Sequence, residues 1–230
     1  LPDREWTTNV FGVESLPGAL YEQLLSAGWR RSGHVFYQNQ CAGCAACVPI
    51  RIPVEEFKPS RSQRRILRMN QDIAVSVHPR GFNDESYRLF LQYEASRHRP
   101  NSPTTPDAYR RFLCDSAVDG YEMHYRLQNG TLVGVGWVDE MPQSISTVYF
   151  AFDPTISDRS LGVFSILYEI DFARRRKRLH HHLGFYVAGT HKMAYKAAFF
   201  PHEQLVAPNK WQRFTSRAEL RAADPSVARA

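Results

Sequence analysis

Residues 122–152 read EMHYRLQNGTLVGVGWVDEMPQSISTVYFAF and contain the clearest structural signal in the chain. Apolar and polar residues alternate through Glu122–Leu127 and Thr131–Val138, and Asn129-Gly130 separates these two runs. Asn-Gly between alternating runs is the strongest short-range signal for a tight hairpin turn. A third run, Ser144–Phe152, follows at hairpin spacing. The stretch therefore predicts three consecutive strands joined as hairpins.

Shorter patterns on both sides of this stretch predict the remaining elements, because apolar residues recur there at helix or strand spacing. Helices are predicted at Pro17–Ala27, Arg61–Met69, Asn83–Arg97, Asp107–Cys114 and Ser160–Arg176, with a short helical turn at His191–Tyr195. Further strands are predicted at His34–Tyr37, Ile50–Val54, Ile73–Val77, His182–Val187 and Ala197–Val206. From Ile73 onward, this order of elements is typical of an N-acetyltransferase-like (GNAT) acyl-transfer fold.

The predicted fold class is α+β. A GNAT-like acyltransferase domain, with a mixed, largely antiparallel sheet and flanking helices, is expected over residues 71–215. A small cysteine-containing lobe with an arginine-rich helix precedes it over residues 1–70, and residues 216–230 are expected to form a loose tail. Architecture of this kind does not by itself specify a substrate.

The composition excludes several classes of protein. The chain has 230 residues, of which 43% are hydrophobic, and its net charge is +6, so it is neither disordered nor too short to bury a core. It contains no apolar run of membrane-spanning length, and its first residues lack the pattern of a secretion signal. We therefore predict a soluble, cytoplasmic protein without a membrane partner.

Arginine supplies 24 of the 29 cations, and its planar fork suits phosphates and carboxylates. The densest early group is Arg61, Arg64, Arg65 and Arg68, and no acidic residue lies between Phe57 and Gln71. A solvated helix face or a preference for arginine codons explains such a run without a partner. The missing acids favour binding to a phosphate backbone.

Three of the four cysteines, Cys41, Cys44 and Cys47, repeat at Cys-x-x-Cys spacing, and Cys114 stands alone. This spacing allows three thiolates to bind one Zn²⁺, with His34 as a possible fourth ligand. An iron–sulfur cluster fits the same thiolates. The third alternative is a set of small buried thiols among alanines that bind no ion.

The histidine run His180-His181-His182 does not predict a metal site. Successive side chains of a strand point to opposite faces, so His181 points away from its neighbours and the three cannot converge on one ion. We expect a solvated entrance to a strand.

Several motifs together resemble the aminoacyl-tRNA–protein transferase family, from about Leu1 to Leu205. In the first part of the chain they are Gly28–Gly33, Tyr37, the three cysteines, Cys47–Arg51 and Phe57–Arg65. In the second part they are Val148–Pro154, Ser160–Gly162, Leu183–Tyr186 and Lys192–Ala197. The family pattern also has a cysteine just before the stretch that corresponds to Leu1–Arg4, which would lie outside this sequence.

The resemblance implies transfer of an amino acid from a charged tRNA to the N-terminal α-amine of a protein, which marks that protein for degradation by the N-degron pathway. Length and cysteine pattern are closer to the bacterial leucyltransferases, which act on N-terminal Asp or Glu, than to the longer eukaryotic arginyltransferases. Leucine is therefore the preferred donor, and arginyl transfer within the same family is the alternative. Aminoacyl-tRNA would be the donor co-substrate.

The chemistry then predicts site residues. Asp153 would assist removal of a proton from the attacking amine, unless it only caps the turn at Asp153-Pro154. Tyr149 and Tyr195 would orient the ester or the amine, unless they belong to the core. Lys192 and Lys196 would join the four arginines in binding tRNA. The acceptor's carboxylate requires a fixed cation, for which Arg51 is preferred over Arg30 and Arg31.

Two rival functions remain at this point. The first is an acyl-CoA-dependent N-acetyltransferase, whose pyrophosphate loop would correspond to Arg159–Phe164; the bulky Phe164 stands where that loop needs a small residue. The second is a non-catalytic, metal-stabilised module that binds nucleic acid. It accounts for the cysteines and the arginine-rich helix but leaves most of the chain unexplained.

Overall fold

The computed structural model describes residues 6–97, 102–188 and 190–223, without the side chains of residues 191 and 192. The strands are β1 (Thr8–Gly12), β2 (Arg30–Ser32), β3 (Val35–Asn39), β4 (Val48–Pro53), β5 (Ile73–Pro79), β6 (Gly120–Leu127), β7 (Leu132–Glu140), β8 (Ser144–Phe152), β9 (His180–Tyr186), β10 (His202–Ala207) and β11 (Lys210–Phe214). The α-helices are α1 (Gly18–Ser26), α2 (Arg61–Met69), α3 (Asp84–Arg97), α4 (Pro106–Tyr109), α5 (Leu161–Arg175), α6 (His191–Ala194) and α7 (Arg217–Ala223). A π-helical turn (Arg110–Cys114) follows α4, and 3-10 turns occupy Pro154–Arg159 and Tyr195–Ala198.

A large sheet has the strand order β11-β10-β4-β9-β8-β7-β6-β5. All neighbours in it are antiparallel except β8 and β9. The three predicted strands of the opening stretch are β6, β7 and β8, and they pair in the predicted order. Strands β1, β3 and β2 form a separate small sheet. The predicted α+β class with a mixed, largely antiparallel sheet is confirmed.

The parallel strands β8 and β9 stay together only at their start. Their pairing runs from Ser144 opposite His180 to Ser146 opposite His182, although both strands continue well beyond these pairs. The register of β8 against β7 shifts at this point, with Thr147 and Tyr149 on successive partners, so Val148 is an extra residue. Such a bulge bends the strand. The two strands therefore separate, and a cleft opens between them.

Helices cover both faces of the large sheet. Helix α3 packs on β7 and β8, and on the same face Tyr109 of α4 contacts Trp137 of β7 edge to face, 5.9 Å between ring centroids. Helix α5 packs on β8 and β9 at the other face. Because side chains alternate along a strand, Trp137 and its neighbour Gly136 face opposite layers, and a Cβ atom at Gly136 would lie 3.6 Å from Glu169 of α5.

Helix α2 begins with a capping box formed by Ser60 and Gln63. Ser60 accepts a hydrogen bond from the backbone N–H of Gln63, and the Gln63 side chain accepts one from the backbone N–H of Ser60. This reciprocal pair satisfies two backbone donors at the start of the helix. The Asn70 side chain, just after the helix, donates to the carbonyl oxygen of Arg159, 2.9 Å away, and thereby attaches α2 to the segment before α5.

The large sheet contains strands from both of the predicted parts of the chain. Strand β4, which precedes residue 70, lies between β9 and β10. The division into residues 1–70 and 71–215 therefore stays a prediction, with β4 as the strand that links the two parts. Helix α7 occupies the start of the predicted tail, and residues 224–230 lie outside the described part.

The predicted last strand begins too early. Residues 195–198 form a 3-10 turn, and β10 begins only at His202, directly after Pro201, because proline has no N–H to donate to a strand ladder. Strand β11 was not predicted. Its residues are largely exposed and polar at the edge of the sheet, so they lack the apolar alternation of a half-buried strand.

Candidate functional site

A cleft of about 550 Å³ lies where β8 and β9 separate. Its walls come from the end of β8, the end of β9, the first turn of α5 and the 3-10 turn that holds Lys196. Tyr93 and Arg97 of α3 and residues of β2 and β3 complete the lining. The cleft thus joins the small sheet, the large sheet and both helical layers.

Two cationic side chains, those of Arg30 and Lys196, meet above Gly184 in this cleft. A Cβ atom added to Gly184 would lie 3.4 Å from Arg30 Nη2 and 3.5 Å from Lys196 Nζ. Gly184 also has a φ of +85°, which favours glycine. Both distances are ordinary van der Waals contacts, so the side chains of Arg30 and Lys196 pack directly over the glycine, and it is the positive φ that a residue with a side chain would strain.

Arg30 is only 7% exposed, and its Nη2 donates to the carbonyl oxygen of Thr147 at 3.0 Å. Among the residues that the structure describes, no carboxylate forms an ion pair with it. A guanidinium held by one backbone oxygen keeps further donors for a ligand. Arg30 is thus a buried cation with the capacity to bind an anion.

Lys196 donates from Nζ to the carbonyl oxygen of Phe185 at 3.2 Å. Burial, together with the positive charge of Arg30, lowers the pKa of the Lys196 amine to about 7. A substantial fraction of this side chain is therefore neutral near physiological pH.

The walls of the cleft are rich in aromatic and aliphatic side chains. Tyr93 packs against Phe152 with 4.9 Å between ring centroids, and the guanidinium of Arg97 lies 5.4 Å above the Phe152 ring. Phe150 stacks beside Phe152 at 5.9 Å. The lining within the described residues includes no Asp, Glu or His. The cleft therefore combines fixed positive charge with apolar surface.

The four arginines of α2 lie near this cleft, at the surface. Arg61, Arg64, Arg65 and Arg68 are all exposed. Gln63 of the same helix donates to the carbonyl oxygen of Ala198, two residues from Lys196, and α2 packs on α5. A helix places residues three or four apart on one face, so the arginines form a continuous basic surface beside the cleft.

Asp153 is not among the residues that line the cleft. It stands before the 3-10 turn, and its Oδ1 accepts hydrogen bonds from the backbone N–H of Thr155 at 2.9 Å and from the Thr155 hydroxyl at 2.7 Å. This is the capping alternative that the Asp153-Pro154 sequence allowed. The structure gives Asp153 a local role at the end of β8 and does not bring it to the cations.

The two other arginines predicted to bind an acceptor lie in ion pairs. Arg51 donates from Nε to Glu203 at 2.7 Å and lies 4.1 Å above the Trp211 ring, outside the cleft lining. Arg31 borders the cleft, but its guanidinium binds Asp139 at 2.7 Å through Nε and also contacts this carboxylate through Nη2. The preference for Arg51 is therefore not supported, because its charge is neutralised by Glu203 on the neighbouring strand.

The remaining predicted residues are distributed around the cleft. Tyr149 and Tyr195 both line it. Tyr149 packs against Phe90 and Phe112 of the helical layer, and burial raises its pKa above the usual tyrosine value. Burial of the Tyr195 hydroxyl raises its pKa to about 12. The Lys192 side chain lies outside the described part of the chain.

The three clustered cysteines follow β3, and none of them forms a disulfide. The backbone N–H of Cys44 donates to the carbonyl oxygen of Cys41 at 3.1 Å, and burial beside these two thiols raises the pKa of Cys47. The described residues contain no group of three His, Cys, Asp or Glu side chains arranged to bind a metal ion. The thiols suit a soft metal, but this geometry does not assemble the site, so metal binding stays a prediction and no chemical step depends on it.

His34 does not serve as a fourth ligand in this structure. It stands before β3, whereas the cysteines follow that strand, and its Nδ1 is 3.1 Å from the carbonyl oxygen of Val13.

Two of the three histidines, His181 and His182, are buried and His180 is half-buried, so the expected solvated entrance is wrong for the last two. His181 is fully buried, with Nε2 2.8 Å from Glu169 Oε2 and 2.8 Å from the Thr147 hydroxyl oxygen. His182 faces the other side of the sheet, where burial holds its pKa well below the usual value. The predicted alternation of these side chains is confirmed by their opposite partners. Sequence reasoning missed Glu169 because a single acid on an otherwise apolar helix face gives no sign of its partner.

Comparison with known proteins connects this cleft to a family. A model of the N terminus of arginine-tRNA-protein transferases matches residues 2–65, and a model of the C terminus of the same proteins matches residues 85–206. The chain belongs to the arginine-tRNA-protein transferase family. The resemblance predicted from sequence motifs is confirmed, and the protein is a transferase.

Relatives within this family match most of the chain. The Marinobacter nauticus protein named aspartate/glutamate leucyltransferase is 39% identical over 208 residues. The aligned residues cover 89% of this chain and 87% of that protein. The Pseudoalteromonas atlantica protein of the same name is 37% identical over 219 residues, 94% of both chains. The Aeromonas hydrophila protein is 41% identical over 204 residues, 86% of this chain and 83% of the relative.

Solved structures show the same fold at low sequence identity. The structure of FemX matches with a TM-score of 0.54 and 10% identity, and the match covers 95% of this chain and 74% of the FemX chain. L-PGS from Bacillus licheniformis matches with a TM-score of 0.53 and 12% identity, covering 92% and 68%. The GNAT-like architecture of this family member is thereby confirmed.

Family membership removes the two rival functions. A transferase of this family is not a non-catalytic module. The arginine of the acyl-CoA alternative, Arg159, already has partners within the protein. It pairs with Asp72, and it donates to the Asn70 side chain at 3.1 Å and to the carbonyl oxygen of Met69 at 2.9 Å.

A search of the described helices for a membrane-spanning segment finds none that is both long and apolar enough.

Proposed function

We propose that this protein transfers leucine from leucyl-tRNA to the N-terminal α-amine of proteins that begin with Asp or Glu. The observation that carries the proposal is the buried, carboxylate-free Arg30 in an otherwise aromatic and aliphatic cleft. The names of the relatives, aspartate/glutamate leucyltransferase, agree with it. The products would be marked for degradation, and the use of charged tRNA agrees with a cytoplasmic location.

Arg30 is the acceptor-binding residue in this proposal. A carboxylate accepts two parallel hydrogen bonds from a guanidinium, which is both strong and geometrically specific. Arg30 is fixed by Thr147 and has no internal acid to displace, so an Asp or Glu side chain supplies the missing anion. Arg31 and Arg51 already have such anions in Asp139 and Glu203.

The lining of the cleft favours a leucyl donor over an arginyl donor. An arginine side chain needs an acid or several carbonyl oxygens to replace its water, and no Asp or Glu lines the described cleft. The positive charge of Arg30 would also repel an arginyl side chain. Leucine needs only apolar contacts, which Phe150, Leu161, Ile166 and Leu183 offer. The family description names arginine, so arginyl transfer remains the second candidate.

The basic face of α2 is proposed to hold the body of the tRNA. The first turn of α5 lies in the cleft wall, and Ser160 provides no side-chain cap for its backbone N–H groups. Free N–H groups and the helix dipole attract phosphate. The acceptor end of the tRNA would then enter the cleft past α5 while the helical stem contacts α2.

Neutralising Arg64 and Arg65 together, as Arg64→Gln and Arg65→Gln, should weaken tRNA binding. Each arginine that contacts a phosphate releases a counterion, so the slope of log affinity against log salt should become shallower by about one per lost contact. Filter binding of leucyl-tRNA over a series of salt concentrations measures both quantities. The matched control is Arg88→Gln with Arg221→Gln, which removes the same charge from exposed sites on α3 and α7. Equal effects of the two pairs would mean a general charge effect and no site on α2.

The direct test of the proposed function is a side-by-side transfer assay. Purified protein is incubated with radiolabelled leucyl- or arginyl-tRNA and with peptides that begin with Asp, Glu, Lys or Arg. We expect label only from leucyl-tRNA, and only on the Asp and Glu peptides. Label from arginyl-tRNA on these peptides would establish the second candidate, and transfer to Lys or Arg peptides would contradict the acceptor assignment.

A further inference from the structure

The transfer reaction requires a group that moves a proton. A neutral α-amine attacks the ester carbonyl carbon of the aminoacyl-tRNA; as the C–N bond forms, the nitrogen must lose a proton. As the C–O bond breaks, the ribose oxygen must gain one. No net proton is produced, so one side chain that accepts and then returns a proton satisfies both needs.

The cleft offers few groups for this task. Its described lining contains no Asp, Glu or His, and the carboxylate of Asp153 caps a turn outside it. The hydroxyls of Tyr149 and Tyr195 stay protonated near neutral pH, because their pKa values are raised above the usual tyrosine value, so neither supplies a free base. Lys196 is the one remaining side chain of the described lining whose neutral form has a basic lone pair.

The position of Lys196 suits this role. Its Nζ donates one hydrogen bond to the carbonyl oxygen of Phe185, at 3.2 Å, which fixes the amine in the cleft wall without pairing it with an acid. No described carboxylate forms an ion pair with Lys196. Burial and the charge of Arg30 bring its pKa to about 7, so the free base is available near neutral pH.

We propose that Lys196 is the catalytic proton shuttle of the transfer reaction, which deepens the proposed function and rests on it. The neutral Nζ accepts the proton that leaves the attacking amine as the C–N bond forms. The resulting ammonium donates that proton to the ribose oxygen as the ester C–O bond breaks. Lys196 is neutral again at the end, and the tRNA leaves with a free hydroxyl.

The spacing of Arg30 and Lys196 fits one amino-acid residue. Arg30 Nη2 and Lys196 Nζ lie 3.4 Å and 3.5 Å from the same point above Gly184. In an N-terminal Asp, one methylene separates the carboxylate from the carbon that bears the amine, and in Glu two methylenes separate them. A carboxylate bound to Arg30 can therefore place its own α-amine within reach of Lys196. One pair of side chains both selects the acceptor and deprotonates it.

The groups around Lys196 leave it as the titrating residue near neutral pH. Those that line the cleft with it are Tyr21 of α1, Arg30 and Arg31 of β2, Tyr37 of β3, Tyr93 and Arg97 of α3, Tyr149 of β8 and Tyr195 of its own turn. All are arginines or tyrosines, and none of these groups is a carboxyl or an imidazole. His182 of β9 stays neutral there, because burial holds its pKa well below the usual value.

The test measures kcat and KM for an Asp-starting peptide at saturating leucyl-tRNA, from about pH 5.5 to about pH 8.5. In the wild type, both the peptide amine and Lys196 must lose a proton, so log kcat/KM should rise at low pH with a slope of about 2. Lys196→Met and Lys196→Ala should lower kcat by about 10²- to 10⁴-fold, leave KM within about threefold and reduce this slope to about 1. Lys210→Ala, at an exposed position of β11, is the matched control.

Chemical rescue separates a shuttle from a structural role. Small primary amines, such as ethylamine, should restore formation of leucyl-peptide by Lys196→Ala in proportion to their concentration, and should not increase the rate of Lys210→Ala. Thermal unfolding of both Lys196 variants checks that they fold, and the methionine retains an unbranched apolar side chain that lacks only the terminal amine position.

Three results would overturn the proposal. The first is a kcat of both Lys196 variants within threefold of the wild type. The second is a slope of log kcat/KM against pH that stays near 2 in these variants, together with no rescue of Lys196→Ala by amines, and the third is a loss of activity that appears entirely in KM. The last would make Lys196 a second carboxylate-binding residue. Failure of the proposed function itself would appear separately, as absence of leucine transfer by the wild type in the same assay.

Discussion

Arg30→Met should lower kcat/KM for peptides that begin with Asp or Glu by about 30- to 150-fold, which corresponds to about 2–3 kcal/mol for lost hydrogen bonds to a charged group. The loss should appear mainly in KM for the peptide, because Arg30 is assigned to binding the acceptor carboxylate. Affinity for leucyl-tRNA should not change. Arg30→Lys should recover only part of the loss, since an ammonium cannot form the bidentate contact.

Arg51→Met is the matched control for Arg30→Met. Both replacements remove a partly or fully buried arginine from strands of the N-terminal part, but Arg51 faces Glu203 and Trp211 and lies outside the cleft lining. We expect its KM for acceptor peptides to stay near that of the wild type. A loss with Arg51→Met and none with Arg30→Met would move the acceptor site to Arg51.

Asp139→Asn should lower the free energy of unfolding by about 3–5 kcal/mol, the usual cost of removing one partner of a buried ion pair. Asp139 is 0% exposed and binds two arginines, Arg31 through Nε at 2.7 Å and Arg80 through Nη2. Without the carboxylate, two buried cations repel each other without a counter-charge. Urea unfolding monitored by circular dichroism measures the difference.

The pKa of Asp139 defines the pH range of this contribution. Burial alone would raise the pKa, but the charges of Arg31 and Arg80 and their hydrogen bonds hold it below the usual aspartate value. A lowered pKa in the folded state means that the stabilisation is complete above the unfolded-state pKa of about 4 and is lost only in stronger acid. The difference in the free energy of unfolding between the wild type and Asp139→Asn should therefore stay constant from neutral pH to about pH 5.

Asp171→Asn provides the control for this measurement. Asp171 pairs with Arg175 one helical turn away, and both side chains are more than half exposed. Exposed pairs of this kind contribute about 0.3–0.5 kcal/mol. A cost for Asp139→Asn as small as that of the control would show that the buried network is not needed for stability.

Much of the fold follows from local patterns. The run at Ser144–Phe152 predicts β8 with both ends correct, and Asn129-Gly130 predicts the turn between β6 and β7. The helix predicted at Arg61–Met69 is α2 with both ends correct, and Ser60 caps its first turn. These predictions succeed because turn, cap and alternation signals act between residues a few positions apart.

Local patterns fail where a partner far along the chain decides the outcome. The edge strand β11 lacks apolar alternation and forms by pairing with β10. His181 reads as a solvated residue, but it is buried because Glu169 and Thr147 supply its partners from α5 and β8. The separation of β8 and β9 depends on how these two strands pair. Their first paired residues, Ser144 and His180, lie 36 positions apart in the chain.

The sequence by itself determined the family, the order of elements and the residue types of the site, since motifs and periodicity are properties of neighbouring residues. Only the tertiary structure decided which arginine is available to a ligand. Arg30 and Arg31 are adjacent in β2, yet Arg31 binds Asp139, 108 residues away, while Arg30 remains without an acid in the described chain. A cation is open to a substrate only where folding brings no internal carboxylate to it, and that depends on contacts across the whole chain.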